Sequence, residues 1–303
     1  MRSGKRKALL ICTVLAALAA AAPARAENVV LPNWPSALPP APGTSAGTVA
    51  LGWDSCPKGK ISCVRAVIRE MTDRWRPLDR SCDHRAVFAL TYLRTTEEFL
   101  RTIKSDPAVF ADPAWVNHLD EVFAELYFRA YDEWERGGAV PEAWRIAFET
   151  AASDDEQGIG DLLLGMNAHI NRDLPYALAH VGLVDGDGAA RKADHDRVNE
   201  FLDRVIDPLQ IELARLYDPI FALTDGEPSP LDEVGSLAAV RGFRENAWRN
   251  AERLVLAETP AERALVAQSI ELEAAASALT IQAANAFPGY GPTRDAHCAA
   301  AHG

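Results

Sequence analysis

Residues 159–184, I-G-D-L-L-L-G-M-N-A-H-I-N-R-D-L-P-Y-A-L-A-H-V-G-L-V, carry only three formal charges, Asp161, Arg172 and Asp173. A helix that is apolar on nearly every side is buried on nearly every side. Such a stretch has to run through the middle of a fold, with the rest of the chain packed around it. At 100° per residue, Leu163, Ile170, Leu174, Leu178 and Val181 share one wide face with Asn167 and Asn171. Leu162, Met166, His169, Asp173, Tyr176 and His180 share another. Polar groups in such a place need partners. Pro175 has no N–H, so the Asn171 carbonyl loses its usual donor, and a kink is expected near residues 171–173. Two readings compete: a packing network with His169 and Asp173 bonded at i, i+4, or a ligand, metal or acid–base site.

The remaining periodicity is helical from Ile61 onward, with no sustained apolar/polar alternation and no repeat. In residues 114–136, Leu119, Val122, Phe123, Leu126, Tyr127, Ala130, Tyr131 and Trp134 form an i, i+3, i+4 core stripe behind an Asp112 cap and Pro113. Glu125 and Arg129, and Asp132 and Arg136, read as solvated i, i+4 pairs. Residues 153–156 read as a capping box leading into the central helix, and Thr259-Pro-Ala-Glu262 as a second. Pro208 is expected to interrupt the helix over residues 192–223, and residues 229–232 to start the next. The expected fold is all-α: one bundle-like domain of seven to nine helices, residues 60–290, around a buried, Pro-kinked central helix.

The ends read differently. Arg2, Lys5, Arg6 and Lys7 precede an apolar run over residues 8–22, and Ala24-Arg25-Ala26 is a small-x-small cleavage site. This predicts a signal peptide over residues 1–26 and a secreted, periplasmic or extracellular mature chain. No other stretch is expected to cross a bilayer, so no stable membrane insertion is expected. Residues 27–59, rich in Pro, Ala and Gly, read as an extended linker, tethering or strapped over the surface. Residues 291–303 read as a tail. Removing the leader leaves 26 basic against 43 acidic residues, a net charge of −17, which excludes nucleic acid as a partner. Four cysteines remain in the mature chain, Cys56, Cys63, Cys82 and Cys298. An even count in an exported chain favours two disulfides, and of the three pairings Cys56–Cys63 with Cys82–Cys298 is preferred.

The central G-M-N-A-H-I-N-R-D-L-P-Y-A-L resembles the core of a bacterial domain-of-unknown-function family (number fifty-nine ninety-five). Val122-Phe-Ala-Glu-Leu-Tyr-Phe-Arg-Ala130, Val140-Pro-Glu-Ala-Trp144 and Phe243-Arg-Glu-Asn-Ala-Trp248 agree with it, over most of residues 80–256. The resemblance implies an all-helical domain and points to Asn167, His169, Asp173 and Arg244. It implies no activity.

Three functions follow from these residues. One is an exported hydrolase, with His169 and Asp173 as acid–base groups or, with His180, as ligands of a divalent metal and its water. A second is a small-molecule pocket in which Asn167, Asn171 and the freed carbonyl orient the ligand and Arg244 meets an anionic group or pairs with Asp173. The third is a structural or interaction protein of the cell exterior. There is no G-x-S-x-G elbow, P-loop, G-x-G-x-x-G or H-E-x-x-H.

Overall fold

The computed structural model describes residues 33–303 apart from 39, 154 and 226–232. The expected signal peptide and the expected helix start at residues 229–232 lie outside the described residues. Among those described, the secondary structure is helical, with two isolated bridges and no strand. The helices are α1 Ile61–Ser81, α2 Ala86–Ser105, α3 Pro113–Glu135, α4 Glu142–Ala151, α5 Gly158–Asn167, α6 Leu174–Val181, α7 Lys192–Leu216, α8 Glu233–Leu256, α9 Pro260–Asn285 and α10 Gly291–His302. A π-helical segment, Ala168–Asp173, joins α5 to α6, so the central helix is one continuous rod of three parts. The described residues also hold a four-residue helix, Trp34–Ala37, and a 3-10 turn, Pro219–Asp225; the count exceeds the expected seven to nine because the rod is divided, the expected tail is α10 and a short helix lies in the expected linker.

Local signals set several boundaries. Asp112 caps α3 by accepting the Trp115 N–H at 3.0 Å, with Pro113 at the first position. Thr259 and Glu262 close a reciprocal capping box at the start of α9. The box expected at residues 153–156 does not form. Instead, Asp218 from beyond α7 accepts the Gly158 N–H at 2.7 Å. Pro208 does not interrupt α7. Phe201, Val205, Leu209, Leu213 and Leu216 continue one buried stripe across it. At about 1.5–3 kcal/mol each, their burial outweighs the roughly 3 kcal/mol cost of an internal proline.

The interior has two apolar clusters, and the central rod runs from one into the other. Ile159, Leu164 and Ala168 sit in the first, with Phe88, Tyr127 and Trp144. Leu174, Ala177, Leu178 and Val181 sit in the second, with Trp115 and Trp248. Gly165 lets α5 lie close against α2, since a Cβ there would stand 2.4 Å from the Phe88 ring. The π segment falls where the two clusters meet. Pro175 explains it: an α-helical carbonyl at Asn171 would clash with the proline ring and lack a donor. One wider turn, in which the Leu174 N–H reaches the His169 carbonyl, takes up the misfit without breaking the rod.

Both preferred disulfides form, Cys56–Cys63 and Cys82–Cys298, the bonds of an oxidising compartment. The second ties α10 to the end of α1. Arg294 of α10 is buried and reaches Asp161 at 2.7 Å and the Glu156 carbonyl at 2.8 Å. Few apolar residues anchor α10, which is why periodicity does not reveal it. The described part of the N-terminal segment is strapped to the body: the Val49 N–H donates to the Ala179 carbonyl at 2.9 Å, and Arg249 Nη2 to the Pro35 carbonyl at 2.9 Å. Although no stretch beyond the leader is expected to cross a bilayer, α9 is long and apolar enough to do so by length and composition alone. One face of α9, with Ile270, Ala274 and Ala278, is buried, and Leu265, Leu272 and Leu279 are exposed.

Candidate active site

His169 lies at the junction of the two clusters. Its ring stacks on Phe123 of α3 at 3.5 Å between centroids and meets Tyr92 of α2 edge-on at 4.4 Å. Nδ1 is 3.2 Å from Asp173 Oδ2. Asp173 is fully enclosed; its Oδ2 also accepts the Trp144 indole N–H at 2.9 Å, and its Oδ1 accepts from Arg172 at 2.9 Å. Burial holds the His169 pKa below the ordinary histidine value, against the pull of Asp173. The ring is therefore neutral, with its proton on Nδ1 facing the carboxylate and a bare lone pair on Nε2. Nε2 is enclosed and has no protein partner.

The ring borders a partly open cavity of about 140 Å³ between α2, α3, the central rod, α7 and α8. Its wall is mainly apolar, with Phe88, Phe99, Leu119, Phe123, Leu174 and Phe201 prominent. Besides three threonines of α2, the polar lining includes Tyr92, Asp120 and Arg244, and in each an enclosed atom lacks a protein partner: the Tyr92 hydroxyl, Asp120 Oδ2 and Arg244 Nε. Burial, reinforced by the Glu121 charge, raises the Asp120 pKa well above the carboxylate range, so its carboxyl keeps a proton. Burial, with the charge of Asp173 adding to it, raises the Tyr92 pKa well above the phenol value. Arg244 is lowered by burial to about 10 and remains a cation.

Arg244 has no carboxylate partner among the described residues. Its Nη2 donates to the His195 carbonyl at 2.6 Å and contacts His195 Nδ1 at 3.3 Å. The fully buried His195 is 3.1 Å from the Arg244 carbonyl through Nε2, and burial beside Arg244 keeps its pKa well below the ordinary value. A neutral imidazole thus braces the guanidinium without neutralising it. Such a wall offers a base, two neutral proton donors and one cation to whatever enters.

The expected residues divide into three groups. His169, Asp173 and Arg244 belong to the cavity or its support, although Arg244 pairs with His195 and not with Asp173. Asn167 and Asn171 do not line the cavity. Asn167 donates to the Ala274 carbonyl of α9 and accepts from Asn171, both at 2.9 Å, so they fasten two helices. His180 does not join His169 and Asp173. It lies with Asp54 and His118, one ligand atom of each within 4.8 Å of the others. Of the surface pairs, Glu125–Arg129 forms, while Asp132 pairs with Arg74 and Arg136 with Glu133.

Tyr92, Asp120 and His195 are not among the residues expected from the sequence. Asp120 had a signal: it continues the line Val116, Phe123, Tyr127 along α3, an acid inside an aromatic stripe. No curated protein and no solved structure matches the chain significantly. A family model matches residues 64–284, most of the helical body and the whole cavity wall, and the chain accordingly belongs to that family, described as a family of unknown function (DUF5995).

Proposed function

We propose that the cavity is the active site of an exported hydrolase acting on a small, mostly apolar molecule with an anionic end. The observation that carries this reading is the convergence of four enclosed, unpartnered polar groups on one apolar cavity. Arg244 anchors the anion. His169, aligned by Asp173, takes a proton from water through Nε2, and the neutral carboxyl of Asp120 or the Tyr92 hydroxyl gives one to the developing oxyanion. The volume sets the scale of the ligand: an apolar cavity of roughly 150 Å³ takes a benzene-sized molecule. The two disulfides and the basic, apolar N-terminus support export.

The mainly apolar wall and the Phe123 ring covering His169 favour a second reading, a binder without turnover. Both readings predict that small aromatic or branched carboxylates stabilise the protein, by about 2.7 kcal/mol at a hundred times Kd. The effect is lost in Arg244→Gln. Turnover of the corresponding esters, abolished in His169→Gln with binding retained, selects the enzyme; binding without turnover selects the carrier. A melting temperature indifferent to every such ligand removes both.

A further inference from the structure

A second cluster of chemistry-bearing groups lies on the other side of α3. His118 and Asp120 are about 200° apart around a helix, so with Asp120 on the cavity His118 faces away. Three elements meet there. The N-terminal strap brings Asp54, α3 brings His118 and the last turn of α6 brings His180. Asp54 Oδ1 is 3.1 Å from His118 Nε2, and Asp54 Oδ2 is 3.6 Å from His180 Nε2. Donors around a tetrahedral zinc, at bond lengths near 2.0–2.2 Å, stand about 3.3–3.6 Å apart. Each histidine already stands near that spacing from one Asp54 oxygen, and one ligand atom of each of the three lies within 4.8 Å of the others.

Several features hold them there. The Cys56 N–H donates to Asp54 Oδ1 at 3.2 Å, and the Cys56–Cys63 disulfide closes the loop that follows. The Val49 N–H fastens the strap to the Ala179 carbonyl, next to His180. His180 Nε2 is enclosed without a hydrogen-bond partner, while Asp54 is exposed, so the cluster has a protein side and a solvent side. Glu121, one turn beyond His118, adds an enclosed, unpartnered Oε2.

We propose that Asp54, His118 and His180 bind a divalent transition metal of the zinc class, with the solvent side left for water. Two imidazoles and a carboxylate form a borderline donor set suited to such ions, and three protein ligands leave an open position. His180 coordinates through Nε2. The Leu51 N–H points at Nδ1 at 3.3 Å, which puts the ring proton on Nε2. Coordination moves that proton to Nδ1, and one long hydrogen bond is exchanged for a metal–nitrogen bond. The strap is then held to α3 and α6 by the ion. His180 is expected from the sequence as a metal ligand with His169 and Asp173; the tertiary fold gives it different companions.

The test is a cobalt(II) titration of the full chain, stripped with chelator, followed by zinc competition. One cobalt per chain is expected, with the visible bands of low-coordinate cobalt, displaced by zinc. His118→Ala and His180→Ala should each weaken binding at least about 100-fold, and His169→Gln should leave it unchanged. Asp54→Asn, at an exposed side chain, serves as the decisive variant if either histidine substitution unfolds the protein, as read by circular dichroism. No stoichiometric cobalt in the wild type, bands that survive Asp54→Asn in a folded protein, or bands lost only in His169→Gln would each overturn the assignment.

Discussion

On one side of the central rod, Asn171 donates to Asn167 and Asn167 to the Ala274 carbonyl, so two buried amides are joined and tied to α9. On the other side, His169 Nε2, the Tyr92 hydroxyl, Asp120 Oδ2 and Arg244 Nε are equally enclosed and have no protein partner. Asn167, His169 and Asn171 lie within about one turn of each other on the rod, while Tyr92, Asp120 and Arg244 come to the cavity from α2, α3 and α8. The contrast separates two uses of buried polarity. A satisfied pair fixes the register of two helices, and its net worth is stability. An unsatisfied group costs stability and persists where something else uses it. Asp173 stands between the faces, holding His169, Trp144 and Arg172 at once.

The largest effect is expected at that shared support. Asp173→Ala leaves three donors without an acceptor and should cost about 3–5 kcal/mol in urea unfolding. A cost under about 1 kcal/mol would mean that the carboxylate does not support the site.

The contrast itself is sharpened by pairing Asn167→Ala with Tyr92→Phe. Asn167→Ala strands the Asn171 amide and removes the tie to the Ala274 carbonyl, and should cost about 1–3 kcal/mol without altering ligand binding. Tyr92→Phe removes a hydroxyl that bonds to no protein group and should leave stability within about 1 kcal/mol of wild type, or raise it. Equal losses in the two variants would break the comparison.

The last expectation is a pair of opposite pH dependences. The folded His169 pKa is lowered, so the unfolded chain takes up the proton first, near pH 6.5, and stability falls as pH drops below that value. The folded Asp120 pKa is raised, so its contribution is full below about pH 4 and is lost as pH rises through the folded value. In urea midpoints measured against pH, His169→Gln should flatten the acid-side loss and Asp120→Asn the loss with rising pH. A profile unchanged in both variants would place these groups in contact with solvent.

Much of the helical framework is legible locally. Asp112 with Pro113, and Thr259 with Glu262, set helix starts because a cap needs only its own first turn. The signals fail where a distant group takes over: Asp218 replaces the box before α5, and packing carries α7 through Pro208. Within the site, His169, Asp173 and Arg244 stand out because charge or imidazole is rare in apolar surroundings. Tyr92 and His195 do not, since a tyrosine in a stripe or a histidine among charges looks ordinary until its neighbours are in place.

By itself the sequence determined that the chain is helical, that residues 159–184 are its buried axis, and which polar residues the axis carries, because periodicity and the lack of charge are properties of one segment. Which face of the axis is sealed and which opens on a cavity was decided by tertiary structure alone. So was the company His180 keeps. Partners over a hundred residues away supply or withhold the hydrogen bond, and the one-residue widening at Ala168–Asp173 sets where each side chain points.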